Sequence, residues 1–131
     1  LSDRYAPGLL GGIGLLILAA GLVTMMRLPA APSAFDIGWR MAICGIGFGF
    51  FQAPNVKAIM GSAPASRAGS ASGMVATARL TGQATGAALV AFCLTISHVR
   101  GPWFALGIAA AFSFAASVAS FSRLVVAAPA V

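Results

Sequence analysis

The run GLLGGIGLLILAAGLVTMM, Gly8 to Met26, decides the fold of this chain. It carries no charge, and a membrane-crossing helix needs about 20 mostly apolar residues at 1.5 Å rise each. The uncharged stretch opens at Tyr5 and is closed by Arg27. Working outward, a second apolar run covers Ile37 to Met60, with Arg40 near one end and Lys57 near the other. Long basic side chains near span ends can reach the headgroups, so neither residue breaks the span. A third run covers Ser72 to Ser97 and holds Arg79 one or two turns inside. The fourth, Pro102 to Ser122, is stopped by Arg123. Pro102 suits a first helical turn, where its missing N–H has no partner to lose. The spans are therefore set at about 8–27, 37–60, 72–97 and 102–123.

The connections read as loops from their own chemistry. Leu28 to Asp36 contains Pro29, Pro32 and Ser33, and Gly61 to Ser70 is small, polar and Pro-containing. The link His98 to Gly101 is short enough to force the third and fourth spans into an antiparallel pair. The expected fold class is an all-α membrane protein of four transmembrane helices.

Composition agrees. Of 131 residues, 60% are hydrophobic and 8% charged, with mean hydropathy +0.96. A soluble domain carries about a quarter charged residues. Eight Lys and Arg stand against two acids, giving a net charge of +6, and the chain has no Glu. The basic residues are single and widely spaced, which excludes a nucleic-acid module. The order of basic, apolar and small residues that marks a secretory signal is not found at the front. Cys44 and Cys93 lie in apolar runs and read as buried small hydrophobes, with a bridge open only if their Cα atoms approach within about 7 Å. No metal cluster, nucleophile–base pair or phosphate loop is present, so neither enzyme chemistry nor a cofactor is expected.

With a cytoplasmic N-terminus, the inner face carries Arg4, Lys57, Arg67 and Arg123, and the outer face Arg27, Arg40 and Arg100. That is a weak positive-inside bias. Trp39 and Trp103 then lie at the outer interface, although an inner one suits them equally.

Small residues recur every fourth position: Gly45, Gly49 and Ala53; Ala78, Gly82 and Gly86; Gly107, Ala111, Ala115 and Ala119. In lipid, such stripes let helices approach closely. With Gly47 between the first two, Gly45, Gly47, Gly49, Gly82 and Gly86 are the expected packing glycines, and their faces also suit helices that slide. Pro54 removes a backbone hydrogen bond inside the second span, so a kink is expected, with Asn55 beside it as cap or hinge partner. Arg79 is the one charge away from a span end, and Gln83 lies one turn further on the same face. This edge reads either as a snorkelling or structural pair, or as a functional polar site facing protein. His98 reads as a loop residue.

The run GWRMAICGIGFGFFQAPN, Gly38 to Asn55, resembles a late span of major facilitator superfamily transporters, nearest their fourteen-span drug:proton antiporter branch. SRAGSASGMVATARLTGQATGAAL, Ser66 to Leu89, resembles the loop and helix that follow there, through Arg67, Gly69, Ser72-Gly73-Met74, Arg79, Gly82, Gln83 and Gly86. At the front, LSDRYAPG resembles the second-half copy of the superfamily's loop signature, with Leu1, Asp3 and Arg4 surviving; Ala6 and Pro7 replace its basic pair. The resemblance implies the last four spans of a larger transporter in a bacterial inner membrane. Asp3 and Arg4 would then make cytoplasmic gate contacts. The implied partners are the lipid bilayer, the remaining N-terminal spans, a small amphipathic or cationic substrate, and protons; no nucleic acid is implied. With no Glu, and with Asp3 and Asp36 both expected outside the spans, proton-carrying acids would lie in the remainder. The alternative reading is a complete four-span protein, acting as a scaffold or assembly subunit or as a small multidrug-resistance-like pump. Pumps of that kind carry an acid in the first span, and Gly8 to Met26 has none.

Overall fold

The computed structural model describes residues 7–29 and 31–126. Four helices account for nearly all of them: α1, Pro7–Met26; α2, Ala34–Ser62; α3, Ala68–Ile96; and α4, Gly101–Val126. A single 3-10 turn, Ala65–Arg67, precedes α3. Among the described residues there is no strand, and all four helices are long and apolar enough to cross a membrane. Asp3 and Arg4 lie outside the described residues.

Three boundaries differ from the sequence expectation by three residues or more, each for a local reason. α2 begins at Ala34 instead of Ile37 because Ser33 and Asp36 form a capping box. The Ser33 hydroxyl donates to Asp36 Oδ2 at 2.7 Å, and the Asp36 N–H donates to Ser33 Oγ at 3.1 Å. The Ser33 N–H adds a bond to the same carboxylate at 3.2 Å. Asp36 is therefore in the first turn of the helix, where a negative charge suits the dipole, and not in a loop. α3 begins at Ala68, four residues earlier than expected, because the turn closed by Arg67 N–H on Pro64 O at 2.8 Å leads straight into it. Arg123 does not stop α4, which runs on to Val126.

The chain divides into two compact units, residues 1–55 with 106–131, and residues 56–105. In the first unit α1 lies between the first part of α2 and the last part of α4, antiparallel to both. Gly21 meets Cys44, Gly14 meets Gly47 and Phe51, and Gly11 meets Phe51. On the other side Gly12 meets Phe121, Gly11 meets Ser120, and Met26 meets Gly107. Lipid tails are as apolar as the side chains they surround, so no hydrophobic force drives this association. Backbone approach and interhelical hydrogen bonds hold it instead. A Cβ on Gly14 would lie 2.6 Å from the Phe51 nitrogen and 2.8 Å from the Gly47 oxygen. The two backbones touch, and only glycine fits there. Across the α1–α4 face, the fully buried Ser117 donates to Gly12 O at 2.9 Å, and Ser120 donates to Gly8 O at 2.9 Å.

In the second unit, α3 and the first turn of α4 meet at a tight link. The Arg100 N–H donates to Ser97 Oγ at 3.1 Å and the Gly101 N–H to Ser97 O at 2.7 Å. Gly101 is buried so close to α3 that a Cβ would sit 2.6 Å from Cys93 O. Cys93 is buried, Cys44 half-buried, and both are free thiols, so no bridge joins them.

Candidate functional site

The polar and kink residues picked out from the sequence fall on two helices, α2 and α3. On α2, Pro54 is buried and sits one and two turns after Phe51 and Gly47, on the face turned to α1. The helix runs through Pro54 without a break. Proline offers no N–H to the Phe50 carbonyl, so the ladder is interrupted there. Asn55 and Gln52 beside it are half-buried.

At the other end of α2, Arg40 precedes Cys44 by one turn and shares its face. Its Nε and Nη1 are buried without a hydrogen-bond partner, and its guanidinium carbon lies 5.0 Å from the Trp39 ring centroid. Part of the Arg40 guanidinium is thus desolvated in this unit, and an aromatic face offsets part of the cost. The spans alone placed Arg40 as a snorkelling charge; its partial burial is a tertiary feature.

On α3, Arg79 and Gln83 lie one turn apart on one face, and both are exposed. The expectation that they face protein is therefore not met within the second unit. The earlier helix start changes their depth, however. Arg79 is eleven residues from the start of α3, or roughly 17 Å along a helix of roughly 43 Å. If such a helix is centred on a hydrocarbon core of about 30 Å, Arg79 lies roughly 10 Å below its edge. The expected span from Ser72 to Ser97, centred in the same way, would put Arg79 roughly 6 Å below that edge. An ionisable residue at such depth marks a pathway or pairs with another polar group. Three of the four threonines of α3 turn to their own helix: Thr77, Thr85 and Thr95 each donate to the carbonyl four residues back, at 2.9, 2.8 and 2.9 Å.

The packing glycines sort differently from the stripes read in the sequence. Gly47 is buried against the α1 backbone at Gly14 and Leu18. Gly45, Gly49, Gly82 and Gly86 have nothing within 4 Å of a Cβ position, so these four do not pack within the described residues. In α4, a Cβ on Gly107 would lie 3.5 Å from Met26 Cε, whereas Ala111, Ala115 and Ala119 are exposed. The α4 packing face instead carries Ala110, Ser117 and Ser120, which do not follow the spacing of four. A spacing of four fixes a face but not which face turns inward. The serine hydroxyls, able to donate to α1 carbonyls, select it. The missed residues Gly12, Gly14, Gly21, Ser117 and Ser120 had a legible signal in the glycines of α1 and in Ser113, Ser117 and Ser120 at i, i+4 and i+7. The Ser33–Asp36 pair was legible as a capping pattern.

No family profile matches the chain, and no solved structure matches it. The chain is 48% identical over 124 residues, 95% of its length, to an uncharacterized transporter, YebQ, of Escherichia coli (strain K12). It spans about a quarter of that protein, 27% of its length. The match extends over nearly all of the chain, both units included.

Proposed function

We propose that this chain forms the last four spans of a secondary active transporter of the major facilitator type. The transporter exports small amphipathic or cationic compounds in exchange for protons by alternating access, in a bacterial inner membrane. The observation that carries this reading is the 48% identity to a transporter over 95% of the chain. The four candidate spans support it, as does Arg79, eleven residues inside α3.

In this reading the chain supplies one wall of the pathway, not its coupling acids. Asp36 is the one carboxylate side chain among the described residues, and it is held by Ser33 at the start of α2. Protons would thus be carried by acids in the rest of the protein. Arg79 and Gln83 present a cationic and a hydrogen-bonding group on the exposed face of α3, where they would meet the remaining spans or the solute path. The open faces of Gly45, Gly49, Gly82 and Gly86 would let those spans approach and slide. Pro54 and Asn55 would set the bend of α2, and Asp3 and Arg4 would serve as gate contacts on the cytoplasmic side.

The test is dye efflux from cells lacking their own efflux pumps, expressing the full-length protein. Energised efflux that collapses with a protonophore is expected, and Arg79→Ala at equal expression should lower it by an order of magnitude or more. Efflux indifferent to the protonophore overturns proton coupling. Full activity of Arg79→Ala overturns the role given to α3.

A further inference from the structure

The link between α3 and α4 carries a feature that packing leaves unexplained. Arg100, Trp103 and Phe104 line a cleft of about 290 Å³ in the second unit. The three residues stand at i, i+3 and i+4, so they share one side of the first turn of α4. All are exposed, Trp103 to 59% and Phe104 to 53%. The backbone of Arg100 is already engaged: its N–H donates to Ser97 Oγ, and its carbonyl accepts from the Phe104 N–H at 3.0 Å. Its backbone conformation is thereby fixed while the guanidinium stays at the surface. Gly101, pressed against Cys93 O, brings this turn hard against the end of α3. The cleft is thus a cation and two aromatic rings on a pinned turn, at the very end of an apolar helix long enough to span a membrane.

We propose that this cleft binds the phosphodiester headgroup of an anionic phospholipid. Arg100 supplies planar, multi-donor recognition of the phosphate. Trp103 and Phe104 occupy the depth where aromatic rings are favoured at a membrane interface, and they flank the glycerol and upper acyl region. A basic residue near an anionic membrane surface is worth about 1 kcal/mol, equivalent to roughly a fivefold preference. The proposal needs the helices to cross a bilayer but does not need the protein to transport anything, so it stands or falls apart from the efflux reading.

The experiment uses the full-length protein with every tryptophan except Trp103 replaced by Phe, reconstituted in phosphatidylcholine vesicles. Trp103 fluorescence is quenched with added acyl-brominated phosphatidylglycerol or acyl-brominated phosphatidylcholine. A preference of roughly fivefold for the anionic lipid is expected. Arg100→Gln should reduce it to no preference, Arg100→Lys should restore part of it, and Arg27→Gln, outside the cleft, should leave it intact. An unchanged thermal midpoint for Arg100→Gln confirms that folding is not the cause. Equal quenching by the two lipids in the parent protein overturns the proposal, as does a preference that survives Arg100→Gln. Loss of the preference on adding inorganic phosphate alone overturns the lipid as the ligand.

Discussion

α1 and α3 are both apolar helices of membrane-spanning length, yet the chain treats them oppositely. On α1, Gly11, Gly12, Gly14, Leu15, Ala19 and Gly21 are buried against α2 and α4. On α3, Cys93 near the C-terminal end is the buried residue, and every position from Ala76 to Phe92 is exposed. Hydropathy does not account for the difference, because both helices qualify as spans. What differs is the partner available to the backbone. α1 meets a glycine on α2 at a position where only glycine fits, and two serines on α4 whose hydroxyls reach its carbonyls. The hydroxyls of Thr77, Thr85 and Thr95 on α3 turn back on their own helix. Polar side chains therefore glue one helix to its neighbours and leave the other uncommitted.

The comparison is broken most forcefully at Gly47. Leucine there must enter the α1 backbone at Leu18 and Gly14, which cannot yield as a side chain would. Gly47→Leu should cost about 3 kcal/mol, the upper end of overpacking penalties. Gly49→Leu, two residues along the same helix and facing open space, should leave the unfolding midpoint in detergent nearly unchanged. Equal losses at the two positions would show that α2 packs by another face.

A smaller effect separates the helix starts. Ser33→Ala removes a hydroxyl that bonds both ways with Asp36 and should cost about 1 kcal/mol. Arg67→Ala at the start of α3, where no side-chain cap bond exists, should cost nothing through capping. Helicity of the two segments, followed by hydrogen exchange of their first-turn amides, distinguishes the cases.

The smallest expected effect lies across the α1–α4 face. Ser117→Ala should lower stability by about 0.6 kcal/mol, the average for interhelical side-chain bonds in membranes. Ser122→Ala should change nothing measurable, since that hydroxyl bonds Ala119 within its own helix. Chemical unfolding of both variants in the same micelle gives the difference directly.

Gly8 to Met26 and Pro102 to Ser122 announce spans because a bilayer fixes the required length of apolar chain and little else can use it. Helix ends were less legible. Ser33-x-x-Asp36 was a readable cap, yet Pro29 and Pro32 nearby favoured a longer loop. Arg123 looked like a terminus because charge marks the end of an apolar run, although hydrogen bonding carries the helix past it. The candidate site divides in the same way. Arg79 and Gln83 could be placed on one helix face from spacing alone, but how far they stand from the helix start depended on where α3 begins.

The amino-acid sequence by itself determined that this is an all-helical chain with four spans, because chain length and hydropathy are properties each segment holds alone. The inward faces were decided only in the tertiary structure: Gly47 over Gly45 and Gly49, Ser117 over Ala115 and Ala119. A period of four gives several equivalent faces on one helix. The choice among them is made by the neighbour whose backbone and carbonyls must fit against it.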